Sequence, residues 1–192
     1  MSEIPALAPD RIYRNLTLEG GRYAHIELDG ATFEGCSLAG VDLRSTRLNG
    51  AVFRDCNLTG ARIAGANLFG ATFERCKLMG VDFHDGLTLT AATFSVCNLD
   101  YSIFRGVTLD KMTFRDCTFV EADFSLASLR QAAFADCDLS GVDLTETTFF
   151  QTDLRGSALG GWNLTRDRLD GVVVSPGQMR DLAAEIGVLV VE

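Results

Sequence analysis

Ala31-Thr32-Phe33-Glu34-Gly35-Cys36-Ser37-Leu38-Ala39-Gly40, Ala51-Val52-Phe53-Arg54-Asp55-Cys56-Asn57-Leu58-Thr59-Gly60 and Ala71-Thr72-Phe73-Glu74-Arg75-Cys76-Lys77-Leu78-Met79-Gly80 stand twenty residues apart and share one plan. A large apolar residue recurs every five positions, with a small residue two places before it. With the large residue denoted i, the series runs from Phe33 in steps of five to Phe83, resumes at Leu89 and keeps step to Leu159. Of these 26 positions 25 are Leu or Phe, and position i−2 is Ala, Cys, Val, Thr or Ser in 24; Leu87 and Met112 are the exceptions. Weaker copies reach back to Tyr13 and forward to Val174.

A period of five fits neither the 3.6 of a helix nor the 2 of a strand. It fits a chain that turns a corner every five residues and closes a square coil with four of them. One large and one small residue per side then point inward, and backbone groups pair with the coils above and below. A second period supports the square. Phe33, Phe53, Phe73, Phe94, Phe114 and Phe134 are spaced 20, 20, 21, 20 and 20, and so are Cys36, Cys56, Cys76, Cys97, Cys117 and Cys137. The single 21 places one inserted residue within His84–Thr88, read as a bulge. About eight coils rising ~4.8 Å each predict a rod roughly 40 Å long.

The triplets Ala31-Thr32-Phe33, Ala51-Val52-Phe53, Ala66-Asn67-Leu68 and Ala122-Asp123-Phe124 match A-x-[LF], and the chain resembles the pentapeptide-repeat family. The resemblance implies an all-β solenoid, a right-handed quadrilateral β-helix, over residues 13–174. Residues 1–12 are expected to form an N-terminal cap or irregular segment, and residues 175–192 a C-terminal helix and strand. Ser175 is the expected N-cap, Pro176 the first helical residue, Gln178 the partner in a capping box and Gly187 the stop. Met179, Leu182, Ala183 and Ile186 form an apolar stripe, followed by Val188, Leu189, Val190 and Val191 as a short strand. These eight residues are assigned to a homodimer interface, with the C-termini at the centre of a rod about 80 Å long. Closure of the last coil by the same helix is the simpler alternative.

A solenoid of this length with that tail is similar to the Qnr and MfpA group of fluoroquinolone-resistance proteins, and its nearly loop-free form is closest to MfpA. The resemblance implies a dimeric rod that mimics duplex DNA and binds DNA gyrase. An immunity protein against a topoisomerase-directed toxin, or a scaffold for an unrelated partner, are the alternatives.

Charge bears on that implication. The net charge of −9 argues against a nucleic-acid or anionic-membrane partner. The excess is concentrated: Asp116, Glu121, Asp123, Asp136, Asp138, Asp143, Glu146 and Asp153 stand against Arg130 alone within residues 116–153. Those 38 residues span about two coils, or ~10 Å, a linear density comparable to one charge per ~1.7 Å of duplex DNA. These eight carboxylates are the expected gyrase-binding surface. Asp123 and Asp143 precede i on one wall, with Asp42 and Asp82 at the equivalent place lower down. A preference of the fold for Asp or Asn at that position would explain them as well.

No catalytic, cofactor or metal site is expected. Histidine occurs twice, no CxxC pair exists, and all six cysteines occupy the small inward position, where reduced Cys packs as a small apolar residue. No long apolar run suits a bilayer, and the first residues lack the basic and apolar regions of a secretory signal, which predicts a cytoplasmic protein. Phe69 and Phe150 follow i and should point outward on one wall. Trp162 falls at a small inward position and is expected to mark the loosening coil that meets the tail.

Overall fold

The computed structural model describes residues 6–84, 86–162, 170–185 and 187–188. Its repeat unit is a five-residue side with a left-handed corner. Every described residue at i+2, from Asp10 to Gly171, has φ between 51° and 85°. That conformation turns the chain about a right angle after each inward side chain. The result is a right-handed quadrilateral β-helix of about eight coils.

Wall one is the most regular side. It holds β1 (Ile12–Arg14), β2 (Thr32–Glu34), β3 (Val52–Arg54), β4 (Thr72–Glu74), β5 (Thr93–Ser95), β6 (Thr113–Arg115), β7 (Ala133–Ala135), β8 (Thr152–Asp153) and β9 (Val172–Val173). They form one parallel sheet in chain order, with Phe33, Phe53, Phe73 and Phe94 in direct register. Walls two, three and four follow in each coil and are joined by single bridges, such as Ser37 to Asn57, Asp42 to Arg62 and Arg47 to Asn67. A typical rung on wall two runs from the Leu38 N–H to the Asn57 carbonyl at 2.7 Å and from the Asn57 N–H to the Cys36 carbonyl at 3.0 Å.

The inward columns form the core. The rings of Phe33, Phe53, Phe73 and Phe94 stack at 4.9–5.0 Å within 7° of parallel. A second column of Phe83, Phe104 and Phe124 lines wall three at 4.5 and 4.9 Å. Each fully buried Phe or Leu contributes roughly 1.5–3 kcal/mol of transfer free energy. The small column has a rule of its own. A polar side chain at i−2 donates to the carbonyl of the i residue one coil below: Thr46 to Tyr23 at 2.8 Å, Thr152 to Leu129 at 2.6 Å, Ser157 to Phe134 at 2.9 Å. The thiols behave alike, with Cys56 Sγ 3.3 Å from the Phe33 carbonyl and Cys76 Sγ 3.4 Å from that of Phe53. All six cysteines are free and buried, and burial pushes the Cys36 thiol up from its ordinary value. Trp162 follows the same rule, its indole N–H donating to the Leu139 carbonyl at 2.8 Å. It is buried, and the coil that follows it lies outside the described residues.

The inserted residue lies at the corner between walls three and four. Gly86 takes the corner conformation, and its Cα side faces the corner glycine one coil below, Gly65. Register recovers at once, since the Leu68 N–H reaches the Thr88 carbonyl at 2.8 Å. Two seams open around it among the described residues. On wall three, the bridge expected between Arg62 and Asp82 is absent. On wall four and into wall one, the rungs expected from Leu89 to Thr108, Ala91 to Asp110, Thr108 to Leu87 and Thr113 to Ala92 are all absent. There the Phe94 and Phe114 rings tilt by 31° and part to 5.4 Å, and a cavity of about 330 Å³ forms between Gly86–Thr90 and Gly106–Thr108, with Phe83 and His84 at its side. Leu87 and Met112, the two oversize residues at the small inward position, flank this upper seam. Too much volume inside a close-packed coil forces its walls apart.

The tail helix α1 (Pro176–Glu185) starts in the expected capping box. The Ser175 N–H donates to Gln178 Oε1 at 2.8 Å, and the Gln178 N–H to Ser175 Oγ at 3.3 Å. It ends in a Schellman pair, Val188 N–H to the Ala183 carbonyl and Gly187 N–H to that of Ala184. Gln178 Nε2 also donates to the Leu154 and Ser157 carbonyls at 2.6 and 2.7 Å, which pins the helix to the coil. Leu182 is buried in the chain's own core, so this member of the apolar stripe serves the coil end. Met179 and Val188 are about half exposed, and Ala183 is half-buried. Ile186 and Leu189–Val191, including most of the expected strand, lie outside the described residues.

Candidate acidic binding surface

The eight carboxylates of residues 116–153 enter the surface in two ways. Asp123, Asp138, Asp143 and Asp153 stand at i−1 in the middle of a side. Asp116, Glu121, Asp136 and Glu146 stand at i+2, on the left-handed corners. Seven of them line walls two and three and their edges. Asp153 is set apart on wall one, where Arg155 grips it at 2.7 Å and holds its carboxyl below the ordinary range.

The i−1 carboxylates have a local duty. One oxygen accepts the N–H of residue i+1: Ser125 to Asp123 at 2.8 Å, Ser140 to Asp138 at 3.0 Å, Thr145 to Asp143 at 2.8 Å. Asn57, Asn67 and Asn98 accept the same bond from Thr59, Phe69 and Asp100 at 3.1 Å. Where the i−1 side chain makes this bond, the fold uses a carbonyl-type oxygen. It does not ask for a charge, because asparagine serves equally well.

The charges also stack differently along the rod. In the lower coils, unlike charges alternate. Arg14 meets Glu34 at 2.7 Å, Arg54 meets Glu74 at 3.1 Å, Arg75 meets Asp55 at 2.7 Å and Arg47 meets Asp29 at 2.5 Å. Asp42, nearly out of solvent, is held by Arg44 through two 2.8 Å bonds, which lowers its carboxyl to about 2. In the upper coils, like charges stack. Asp123 pairs with Asp143 on adjacent rungs of wall three, and Asp116 lies one coil below Asp136 on the edge between walls one and two. In the upper coils Arg155 pairs with Asp153, its own neighbour on wall one, and not with a carboxylate of walls two and three. Like charges on neighbouring rungs destabilise a sheet, so this arrangement is a cost to the fold.

Two surface residues that sequence reasoning passed over belong to the same wall. Tyr101 and Leu126 occupy left-handed corners at its two edges and are about half exposed. The signal was available, since the edge between walls two and three carries Gly20, Gly40, Gly60 and Gly80 before Tyr101 interrupts it. Phe69 and Phe150 project from wall four, as expected. Among the described residues no group of three or more His, Cys, Asp or Glu is placed to hold a metal ion, and no helix is long and apolar enough to cross a membrane.

The profile of the pentapeptide repeat region matches residues 10–83 and 87–165, the break falling at the inserted residue. The chain belongs to the pentapeptide-repeat family. Among solved pentapeptide-repeat structures, full-length QnrB1, described as a plasmid-mediated fluoroquinolone resistance protein, is similar at a TM-score of 0.85 and 23% identity. That match covers 94% of this chain and 92% of QnrB1. One trypsin-treated QnrB1 variant gives 0.85 and 23%, covering 96% and 93%; another gives 0.65 and 24%, covering 95% and 98%. At this identity the likeness speaks for the fold. No curated protein matches the chain by sequence.

Proposed function

We propose that this pentapeptide-repeat protein is a cytoplasmic, non-enzymatic DNA mimic that binds DNA gyrase through walls two and three of its upper coils and confers fluoroquinolone resistance. The single observation that carries the reading is the stacking of Asp123 on Asp143 and of Asp116 under Asp136, where the lower coils alternate acid with arginine. A row of stacked carboxylates on a rigid rod offers a basic DNA-binding groove the same kind of surface as a phosphate backbone. The shared architecture with QnrB1 agrees with it. The partner is the enzyme that would otherwise hold DNA, and the chain itself binds no nucleic acid.

The proposed assembly is a homodimer through the C-terminus. Met179 and Val188 are the exposed apolar residues of the described tail, and Ala183, Ile186 and Leu189–Val191 complete the proposed interface. Leu182 contributes by fixing the helix. A Met179→Asp variant should then halve the mass measured by light scattering while the melting temperature stays within a few degrees. An unchanged dimer mass would remove Met179 from the interface.

The gyrase reading is tested with purified protein in supercoiling and ATPase assays, with and without a fluoroquinolone. Wild type should alter at least one of these at micromolar dimer. The Asp123→Asn/Asp143→Asn double variant, which keeps both backbone bonds, should lose most of the effect. No change by wild type in any assay sinks the reading.

A further inference from the structure

Wall three of the upper coils is framed by a repeated pair of edge residues. On the edge shared with wall two, Tyr101 lies one coil below Glu121. On the edge shared with wall four, Leu126 lies one coil below Glu146. All four are left-handed, with φ of 59°, 54°, 61° and 57°. Between them, Ile103 pairs with Asp123, and Asp123 with Asp143. Each edge thus presents an apolar side chain and then a carboxylate, and the middle repeats that order.

The fold gains nothing from these choices. An L residue in the left-handed region is strained, glycine is not, and glycine fills these same two edges at Gly60, Gly65, Gly80, Gly86, Gly106 and Gly141. Tyr101 is 54% exposed, Leu126 47% and Ile103 36%, so they add little to the core. A residue that is strained and also leaves its apolar surface in water is an outlier of the kind that collects at binding sites. Large apolar side chains beside charges are the usual anchors of a protein interface, and a nucleic-acid phosphate would be repelled here.

We infer that Tyr101, Ile103 and Leu126 form an apolar step at the lower part of the acidic wall, Tyr101 and Ile103 one coil below Asp123 and Leu126 on its rung, docking a partner surface that sets apolar side chains next to lysines or arginines. On the gyrase reading, on which this rests, that partner is a basic DNA-binding face of the enzyme with an apolar rim. The carboxylates supply attraction along the rod, and the step fixes how far along it the partner sits. A surface that imitates DNA by charge alone would slide; an apolar stop gives it register.

The test measures gyrase affinity and thermal stability for wild type, Tyr101→Gly/Leu126→Gly and Asp123→Asn/Asp143→Asn. The glycine pair should melt about 4–8 °C higher, because strain is relieved at two corners, and should bind at least tenfold more weakly. That opposite movement is what a structural role would not give. If the glycine pair binds as wild type does while the asparagine pair is weakened, the gyrase reading stands and the apolar step is overturned. If the glycine pair melts lower, the corners serve the fold and the inference fails. If wild type does not bind gyrase, the gyrase reading and the partner named here fall together.

Discussion

Residues 10–83 and 87–162 build the same coil by different habits. Below the insertion, nine of fifteen corners are glycine, and most of the other six are Asp, Asn, Ser or His. Above it, eleven of fifteen corners are not glycine, and they include Val96, Tyr101, Leu126 and Gln131. The lower coils cancel their charges with interleaved arginines; the upper coils leave carboxylates stacked on carboxylates. The lower half shows how little strain the architecture requires. Departures from that pattern in the upper half are therefore attributable to something other than folding.

The upper coils offset part of this cost inside. Phe104, Phe114, Phe119, Phe124 and Phe134 interlock there, with Phe119 edge-on to Phe114 at 5.2 Å and to Phe134 at 5.6 Å. Below Phe83 the lower coils have a single stacked aromatic column, Tyr13, Phe33, Phe53 and Phe73. Truncation should register this as the largest effect. Phe134→Ala should cost about 3–5 kcal/mol, as should Phe53→Ala. Because the seam at residues 87–113 weakens the coupling between halves, each should lower mainly its own half in a urea melt. A single sharp transition shifted equally by both variants would show that the seam transmits folding intact.

Acid should separate the halves next. Asp42, Asp55 and Glu74 are depressed by bonds to Arg44 and Arg75. A carboxylate whose folded value lies below its unfolded one contributes stability above the unfolded value and loses it as pH falls through the folded one. The lower coils should therefore weaken between about pH 4 and pH 2, the folded value of Asp42 being about 2. Amide exchange followed across that range should rise first at Leu43 and Leu58; a rise confined to the upper coils would contradict the pairing described.

Corner exchange should follow at about 1 kcal/mol. Val96→Gly should stabilise the upper coils by that amount, and Gly60→Ala should destabilise the lower ones similarly. No atom lies within 4 Å of the added carbon at Gly60, so its backbone conformation alone is tested. Equal and small shifts at both sites would mean the corners carry no strain. Smallest of all, Asp123→Asn should move stability by less than about 0.5 kcal/mol, since Asn57 already makes the same bond.

The columns were legible because a phase held over 26 positions leaves one geometric solution. The capping box at Ser175 and Gln178 was legible for a similar reason, its chemistry being local. The left-handed corners were missed although glycine recurs every five residues from Gly30 to Gly40 and again at Gly60, Gly65 and Gly70. The inward residues carry the stronger periodic signal, and the residue that turns the chain varies from glycine to aspartate to leucine. The seam left its trace in Leu87 and Met112, which read only as exceptions until their volumes met a wall. Leu182 shows a different limit. A helical stripe announces that it will be buried, and says nothing about whether its own coil or another molecule will bury it. The acidic wall was visible as a cluster, but separating the backbone duty of Asp123 from its charge required seeing Asn57, Asn67 and Asn98 at the same post.

The inserted residue at the corner before Gly86 resembles a dislocation in a crystal. One extra unit enters a row, the planes beside it lose contact, and the lattice heals one coil away. What is displaced is the numbering and not the position, so columns above the fault continue those below it. Length in such a lattice is quantised: whole coils of twenty residues add or remove ~4.8 Å each, and anything between is expelled as a fault. A partner that reads distance along this rod reads it in those steps, whatever the sequence between them.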